Sequence, residues 1–310
     1  MTALDPAPVR SLAAANLVCL ASMLVWAAGL PAAELVIDLV PPIALTAMRT
    51  ALAAAFLLPL WWAVEGAGAM GRAHWGKGIL VGGICIGFGA VFLVIAQAAT
   101  DPVTVSVITA TMPVIGIALE CLLDGRRLTL ALVAGLVLSL AGGLLAYGAG
   151  MGGLELGIGA AAALASVTAF TWGSRATVTS FPDLTPLGRT TVTVTGAAIC
   201  TAVAAAIHSM LGAPPIEWAA FGWREAGALV VFGVGSLAVS QVLWIMAVGQ
   251  LGIGLSSLHM NAVPFYVMLI MFALGAGWNW AQAAGAGVVV AGVLIAQGLL
   301  PRLLPAWRRR

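Results

Sequence analysis

Two stretches of this chain carry the same features in the same order, and this repetition constrains the fold more than any other feature. The stretches are Val103 to Ala146 and Gly254 to Ala296. A repeated unit that holds an odd number of membrane-crossing helices must enter the bilayer upside down in its second copy. The matching positions are Pro113 with Pro264, Gly125 with Gly275, Gly135 with Gly285, and Gly142 with Gly292.

The composition places the chain in a lipid bilayer. Of 310 residues, 62% are hydrophobic and only 8% are charged, which leaves too little polar surface to face water on all sides. A helix needs roughly 20 apolar residues to cross the hydrocarbon layer. The stretches that satisfy this length are Leu12 to Pro31, Pro42 to Val64, Gly78 to Ala98, Pro102 to Leu122, Leu130 to Tyr147, Leu156 to Thr179, Thr185 to His208, Gly227 to Val248, Gly254 to Phe272 and Ala281 to Leu300.

We therefore expect an all-α integral membrane protein with ten transmembrane helices arranged as two inverted five-helix repeats, residues 1–148 and 149–310. Helices are expected because a backbone in lipid must satisfy its own hydrogen bonds and no strand-like alternation is visible. The connecting loops are too short for a soluble domain. The first apolar run has no small-residue cleavage site, so it is interpreted as a span and not as a signal peptide.

Basic residues predict that both termini are cytoplasmic. Under that orientation the outer loops hold only Arg224. The net charge of +2 and this topological placement argue against a nucleic-acid partner. The last three arginines are interpreted as an anchor at the lipid headgroups. The inner side would hold Arg10, Arg72, Lys77, Arg126, Arg127, Arg175, Arg302, Arg308, Arg309 and Arg310.

The sequence contains no recognisable catalytic motif. We find no His-Glu-x-x-His, no Gly-x-Ser-x-Gly, no P-loop and no acidic pair within a span. The histidines and the four cysteines are scattered, which argues against a metal site, a disulfide or a cofactor. A non-enzymatic secondary carrier or facilitator remains, and a structural or lipid-handling membrane protein is the alternative from another class.

Over nearly its whole length the chain resembles the ten-helix EamA branch of the drug/metabolite transporter superfamily. The resemblance rests on "TATMPVIGIALECLLDGRRLTLALVAGLVLSLAGGLLA", on a Trp late in the first helix of each half (Trp26, Trp172) and on an Arg early in the second (Arg49, Arg189). The family commonly has a Glu after the glycine that ends the fourth helix. Arg126 and Ala276 stand there in this sequence.

Within that branch the chain is most similar to the YddG aromatic amino-acid exporters. This resemblance implies export of aromatic and other apolar or neutral amino acids from the cytoplasm across a bacterial inner membrane, by alternating access and with weak coupling or none. A multidrug or other metabolite exporter is the alternative. The implied partners are a small-molecule substrate and membrane lipids, and the chain would be a monomer or a weak homodimer, since Gly-x-x-x-Gly spacings serve internal packing as readily as dimerisation.

The predicted substrate cavity consists of amides, hydroxyls, aromatics and methionines, because charged side chains are costly near the bilayer centre. Each has an alternative interpretation. Hydroxyls in spans often bond to their own helix, tryptophans often lie at the membrane interface, and polar side chains often bond to neighbouring helices. The candidates are Asn16, Met23, Trp26, Gln97, Thr109, Met112, Trp172, Ser240, Gln241, Trp244, His259 and Asn261.

Two pairs of matching residues have predicted roles in charge and motion. Arg49 and Arg189 are either carboxylate-binding cations or charges that reach the interface or the carbonyls of a neighbouring helix, and the second alternative is preferred. Pro113 and Pro264 each remove a backbone hydrogen bond and are predicted hinges. Trp26 and Trp172 are expected to close the two sides of the cavity. Glu120 is expected to pair with a nearby arginine.

Overall fold

The computed structural model describes residues 9–100, 102–147 and 157–298, and within these ranges the chain forms helices and turns but no strand. The predicted boundary between the halves, at residues 148 and 149, and the terminal arginines lie outside the described residues. The first part contains α1 Val9–Ala27, α2 Gly29–Glu34, α3 Pro42–Arg72, α4 Trp75–Val81, a first π-helical segment Gly82–Gly87, α5 Phe88–Ala99, α6 Pro102–Ala110, α7 Met112–Leu123 and α8 Leu130–Tyr147. The second contains α9 Ile158–Thr179, α10 Pro186–Met210, a 3-10 turn Trp218–Ala220, α11 Trp223–Val230, a second π-helical segment Val231–Val239, α12 Ser240–Leu251, α13 Ile253–Leu258, a 3-10 turn His259–Ala262, α14 Val263–Ala273 and α15 Trp280–Ala296.

Six helical stretches of the described chain are long and apolar enough to cross a membrane. Three further apolar helices, within α6–α7, α8 and α15, are shorter. Helix α9 is 22 residues long but is not apolar enough to be one of the six, because it contains many alanines and hydroxyl side chains and carries Arg175. Several helices therefore have the length and apolar composition of membrane spans, and the number of ten spans stays a prediction. The six are Leu12–Glu34, Pro42–Arg72, Trp75–Ala99, Pro186–Met210, Trp223–Leu251 and Ile253–Ala273.

Helices that the repeat prediction pairs are interrupted at corresponding places. A π-helical segment separates α4 from α5, and another separates α11 from α12. Pro113 lies at the start of α7 and Pro264 at the start of α14, each just after a break in the helix. Proline is tolerated there because the first N–H groups of a helix have no intrahelical partner. Both prolines thus stand beside an interruption of the helix, and their role as hinges stays a prediction.

Helices α8 and α15 meet backbone to backbone through four glycines. A Cβ atom on Gly135 would lie 2.4 Å from the carbonyl oxygen of Gly292, and one on Gly142 would lie 2.6 Å from that of Gly285. The sequence repeat pairs Gly135 with Gly285 and Gly142 with Gly292. Under that pairing the Gly135–Gly292 contact corresponds to the Gly142–Gly285 contact, as expected for two helices related by a two-fold axis. Small residues permit this approach, and close packing is what holds helices together where lipid removes the hydrophobic driving force.

The largest buried cluster lies where α1, α7, α12, α13 and α14 meet. It contains Met23, Met112 and Trp244, none of them more than 3% exposed. Trp26 and Phe170 are partly buried and pack against it. The polar side chains described next lie at this junction.

Candidate functional site

Helix α1 is held to α12 and α13 by two buried side chains one helical turn apart. Ser22 Oγ donates to the carbonyl oxygen of Ser240 at 2.8 Å, and Cys19 Sγ donates to that of Ser256 at 3.7 Å. All four residues are at most 3% exposed. The face of α1 that carries Cys19 and Ser22 therefore contacts both α12 and α13.

The next turn of α12 presents Gln241 and Trp244 on one face, three residues apart. Trp244 Nε1 donates to Ser174 Oγ of α9 at 3.0 Å, and its ring stacks on that of Phe170 with the centroids 6.4 Å apart. Gln241 is 5% exposed, and its Nε2 has no hydrogen-bond partner among the described residues. The Oγ atom of Ser256, a fully buried residue of α13, likewise has none there.

We call Cys19, Ser22, Ser240, Gln241, Trp244 and Ser256 the buried polar cluster. An unpaired buried donor costs about 1–3 kcal/mol, so two of them in one cluster need an explanation. Met23 and Met112, whose flexible thioethers adapt to differently shaped neighbours, belong to the same hydrophobic core cluster as Trp244.

His259 and Asn261 are buried beside the cluster, but each has a partner within the protein. His259 Nδ1 lies 3.2 Å from the carbonyl oxygen of Leu255 in the preceding helix α13. Asn261 Nδ2 donates to Ser139 Oγ of α8 at 3.1 Å. Asn261 therefore ties the 3-10 turn to α8, which is the bonding to a neighbouring helix that the sequence left open as its alternative role.

Four of the predicted cavity residues lie apart from the buried polar cluster. Asn16 and Gln297 exchange amide hydrogen bonds of 2.9 and 2.8 Å, which join the first helix to the end of the last. Gln97 is exposed near the end of α5. Thr109 Oγ1 donates to Val105 in its own helix at 2.8 Å.

Trp172, the fourth, is 41% exposed. It lines a groove of about 520 Å³ on the flank of α9, together with Ile84, Cys85, Ala161, Leu164, Ala165, Thr168 and Ala169. The structure thus places Trp172 on the outside of α9 and Trp26 against the core, so the two matching tryptophans have different environments.

The two matching arginines both bond to backbone carbonyls. Arg49 Nε donates to the carbonyl oxygen of Phe232 at 3.2 Å and Nη2 donates to that of Ser236 at 3.3 Å, both in the second π-helical segment. Its guanidinium carbon lies 4.2 Å above the Phe232 ring. Arg189 Nε donates to the carbonyl oxygen of Phe181 at 2.8 Å, in the turn before α10. Arg49 therefore bonds to the carbonyls of a neighbouring helix, as the preferred alternative describes.

A group of ionised side chains closes the junction of α7, α9 and α13. Glu120 Oε1 accepts the backbone N–H of Gly254 at 3.0 Å, and its other oxygen pairs with Arg126 as the sequence suggested. Arg175 of α9 holds Asp124 with two hydrogen bonds, one of them 2.8 Å long from Nε. The Arg175 guanidinium lowers the pKa of the Asp124 carboxyl below its usual value. We call Glu120, Asp124, Arg126 and Arg175 the polar closure.

The sequence reasoning missed Ser22 and Ser174, and it left Ser256 out of the predicted cavity. Ser22 lies just off the helical stripe that runs through Asn16, Cys19, Met23 and Trp26, so the stripe alone did not select it. Its position one turn after Cys19 was the available signal. Among the described residues no group of three or more His, Cys, Asp or Glu side chains could hold a metal ion.

Comparison with known proteins finds a described family that most of the first half resembles. Residues 13–148 match the model of the EamA-like transporter family. A curated protein of Bacillus subtilis (strain 168), called uncharacterized transporter YyaM, is 29% identical over 118 residues. That alignment covers 38% of this chain and 37% of the relative, so the two share little more than a third of their lengths.

A solved structure, titled only "Crystal structure of protein", matches with a TM-score of 0.78 at 23% identity, covering 94% of this chain and 99% of the other. At that identity the likeness concerns the fold alone. The family model covers residues 13–148, which is less than half of the chain, so the likeness to EamA-like transporters concerns that part.

Proposed function

We propose that this protein is a secondary transporter that exports aromatic and other apolar or neutral amino acids from the cytoplasm. The observation that carries this proposal is the buried polar cluster, in which hydroxyls and an amide lie at the core of a strongly apolar helical bundle. A protein that only packs against lipid gains nothing from unpaired polar atoms at that place. The family match to transporters of small solutes is consistent with this interpretation.

The proposed mechanism is alternating access between two inverted five-helix halves, in the inner membrane of a bacterium and with both termini in the cytoplasm. The matching breaks at Pro113 and Pro264 and the exchanged glycine contacts of α8 and α15 support two related halves. The polar closure would hold the cytoplasmic end shut in the described state. Opening there requires Arg175 to release Asp124 and Gly254 to leave Glu120.

We propose transport without obligatory proton coupling. The carboxylates of Glu120 and Asp124 belong to the polar closure and not to the buried polar cluster, so they are not placed to carry a proton with the substrate. Glu120 and Asp124 are engaged by arginines. A proton relay through the buried polar cluster would need an ionisable group there other than a thiol.

Flux measurement tests the proposal. The purified protein in liposomes should release labelled phenylalanine, methionine or threonine down its gradient, without an imposed pH difference. Empty liposomes give the background rate. Absence of flux for all three amino acids would overturn amino-acid export, and flux only with an imposed proton gradient would overturn the uncoupled mechanism.

A further inference from the structure

The second π-helical segment leads directly into α12, the helix that carries three members of the buried polar cluster. Helix α12 begins at Ser240, and Gln241 and Trp244 follow close behind. At the junction the Ser240 N–H donates to the carbonyl oxygen of Gly235, five residues earlier, whereas an α-helix would use the carbonyl of Ser236. The rotation of α12 about its own axis therefore depends on this segment keeping its π-helical form.

Side-chain donors bind the carbonyl that Ser240 would use in an α-helix. The carbonyl oxygen of Ser236 accepts from Ser240 Oγ at 2.7 Å and from Arg49 Nη2 at 3.3 Å. Arg49 Nε donates to the carbonyl oxygen of Phe232 at 3.2 Å, and Nη2 also donates to Ser236 Oγ at 3.2 Å. One guanidinium group on α3 thus bridges two carbonyls of the segment that lie one helical turn apart.

The contacts that offset the charge of Arg49 belong to this segment. Arg49 lies in an apolar stretch long enough to span a membrane, where a charge is costly. The ion pairs of the described residues do not include it. The carbonyl oxygens and the Phe232 ring, whose centroid lies 4.2 Å from the guanidinium carbon, therefore take the place of a carboxylate partner.

The first π-helical segment is held in a different way. A Cβ atom on Gly82 would lie 1.8 Å from the carbonyl oxygen of Thr193, so the backbone of this segment packs directly against α10. In the second segment a Cβ atom on Gly233 would lie 2.9 Å from Leu52 Cβ, but one on Gly235 would meet nothing within 4 Å. Backbone packing fixes the first segment, whereas the second depends more on the hydrogen bonds of the guanidinium.

We propose that Arg49 is a positioning residue for the buried polar cluster: it holds the second π-helical segment in its π-form and thereby sets the orientation of Gln241 and Trp244. Each residue that a π-helical segment loses to an α-helix turns the following helix by about 100° and moves it by about 1.5 Å. A turn of that size would take Trp244 away from Ser174 and Phe170 of α9. The consequence for a substrate rests on the proposed transport function, whereas the positioning of α12 does not.

Fluorine NMR of the full chain, labelled with 5-fluorotryptophan and purified in detergent, tests the positioning. Trp244→Phe and Trp61→Phe identify two signals, and Trp61 is a fully buried residue of α3 itself. Arg49→Met should shift or split the Trp244 signal and leave the Trp61 signal in place. Arg49→Lys should shift the Trp244 signal less, because a lysine keeps the charge but lacks the planar fork that bridges two carbonyls.

Thr50→Val is the matched control. Thr50 is the next residue of α3, is 3% exposed and shares a 2.7 Å hydrogen bond with Thr201 Oγ1 of α10. Its replacement removes a buried bond between two helices and should leave the Trp244 signal unchanged. An equal shift in Thr50→Val, or an unchanged Trp244 signal in the Arg49 variants, would overturn the proposal. If Arg49→Met does not fold, Arg49→Lys decides by the same criterion.

Flux in liposomes separates this inference from the transport proposal. Arg49→Met should raise the KM for phenylalanine about ten-fold, which corresponds to the loss of about one hydrogen bond, and Thr50→Val should leave KM unchanged. A shifted Trp244 signal with an unchanged KM would overturn the link between α12 and the substrate. Absence of wild-type flux would remove the transport proposal, and the fluorine spectra would still decide the role of Arg49.

Discussion

Helices α7 and α14, which the repeat prediction pairs, end in the same backbone conformation at a glycine but differ in the side chains around it. Gly125 ends the first at a φ of 67° and Gly275 ends the second at 99°, and the next residue in each case bonds back to the last helical turn. These are conformations that only glycine adopts readily. After α7 the chain presents Asp124 and Arg126, whereas Leu274 and Ala276 stand at the corresponding places after α14.

The packing of the two ends differs accordingly. At the first end α7 lies so close to α13 that a Cβ atom on Gly254 would come 2.6 Å from Glu120 Oε2, and the polar closure joins the helices. At the other end α6 and α14 make almost no contact in the part of the chain that the structure describes. There Trp278 packs edge-on against Phe265 and Phe272.

The difference teaches that two helices with the same backbone ending can be held by different kinds of side-chain contact. At the end of α7 the contacts are ion pairs, whose charges can be separated and hydrated. At the end of α14 they are aromatic rings, which are common at a membrane surface. Three changes test this contrast.

The largest effect is expected from Glu120. Glu120→Ala leaves the Gly254 N–H and the Arg126 guanidinium without their buried partner, and should lower the stability by about 2 kcal/mol. Glu120→Gln keeps an acceptor for Gly254 and should lose less. Thermal unfolding of the purified protein in detergent measures both. Equal losses in the two variants would mean that the hydrogen bond to Gly254 contributes nothing.

The aromatic end should give an intermediate effect. Trp278→Ala removes edge-on ring contacts with centroids 6.3 and 5.4 Å apart, to Phe265 and Phe272, and should cost about 1 kcal/mol. Because no charge is involved, the loss should be the same at low and at high ionic strength. A loss that shrinks as salt is added would contradict the assignment of aromatic packing to this end.

The smallest effect belongs to Asp124 and depends on pH. Arg175 lowers the pKa of Asp124 in the folded state, so the pair stabilises the protein above the usual Asp pKa of 3.8 and this contribution is lost as pH falls below that value. Because the carboxyl is 41% exposed, salt and solvent reduce the contribution to a few tenths of a kcal/mol.

Unfolding midpoints of wild type and Asp124→Asn, measured from pH 7 to pH 3, should therefore converge at the acid end. The exchanged pair Asp124→Arg with Arg175→Asp should recover most of the loss at pH 7. Parallel midpoints over the whole pH range would exclude a contribution from this ion pair.

Much of the helical pattern could be predicted, because it depends on local sequence. Apolar length located the long helices, and Pro113 and Pro264 stand beside interruptions in two of them. The likeness of residues 13–148 to EamA-like transporters also followed from residues that the sequence displays. Glu120 was correctly expected to pair with an arginine, since Arg126 lies within reach along the chain.

The partners across the bundle could not be predicted, because they depend on how helices rotate against one another. Arg49 donates hydrogen bonds to the carbonyls of a π-helical segment, and no pattern in the sequence predicts where a helix adopts that form. Trp172 and Trp26 match in sequence yet face different surroundings. Ser256 and Ser257 are adjacent serines, but their hydroxyls differ. The Ser257 hydroxyl donates to the carbonyl oxygen of Gly254 in the same helix, whereas the Ser256 hydroxyl has no hydrogen-bond partner among the described residues.

The glycine contacts between α8 and α15 limit how this pair can move. With Cβ positions on Gly135 and Gly142 only 2.4 and 2.6 Å from the carbonyl oxygens opposite, no side chain separates the two backbones. Sliding one helix past the other by a single residue would drive the larger neighbours of these glycines into the facing main chain. Helices α8 and α15 must therefore travel as one rigid body, and any rearrangement of the protein has to be taken up by the helices around them.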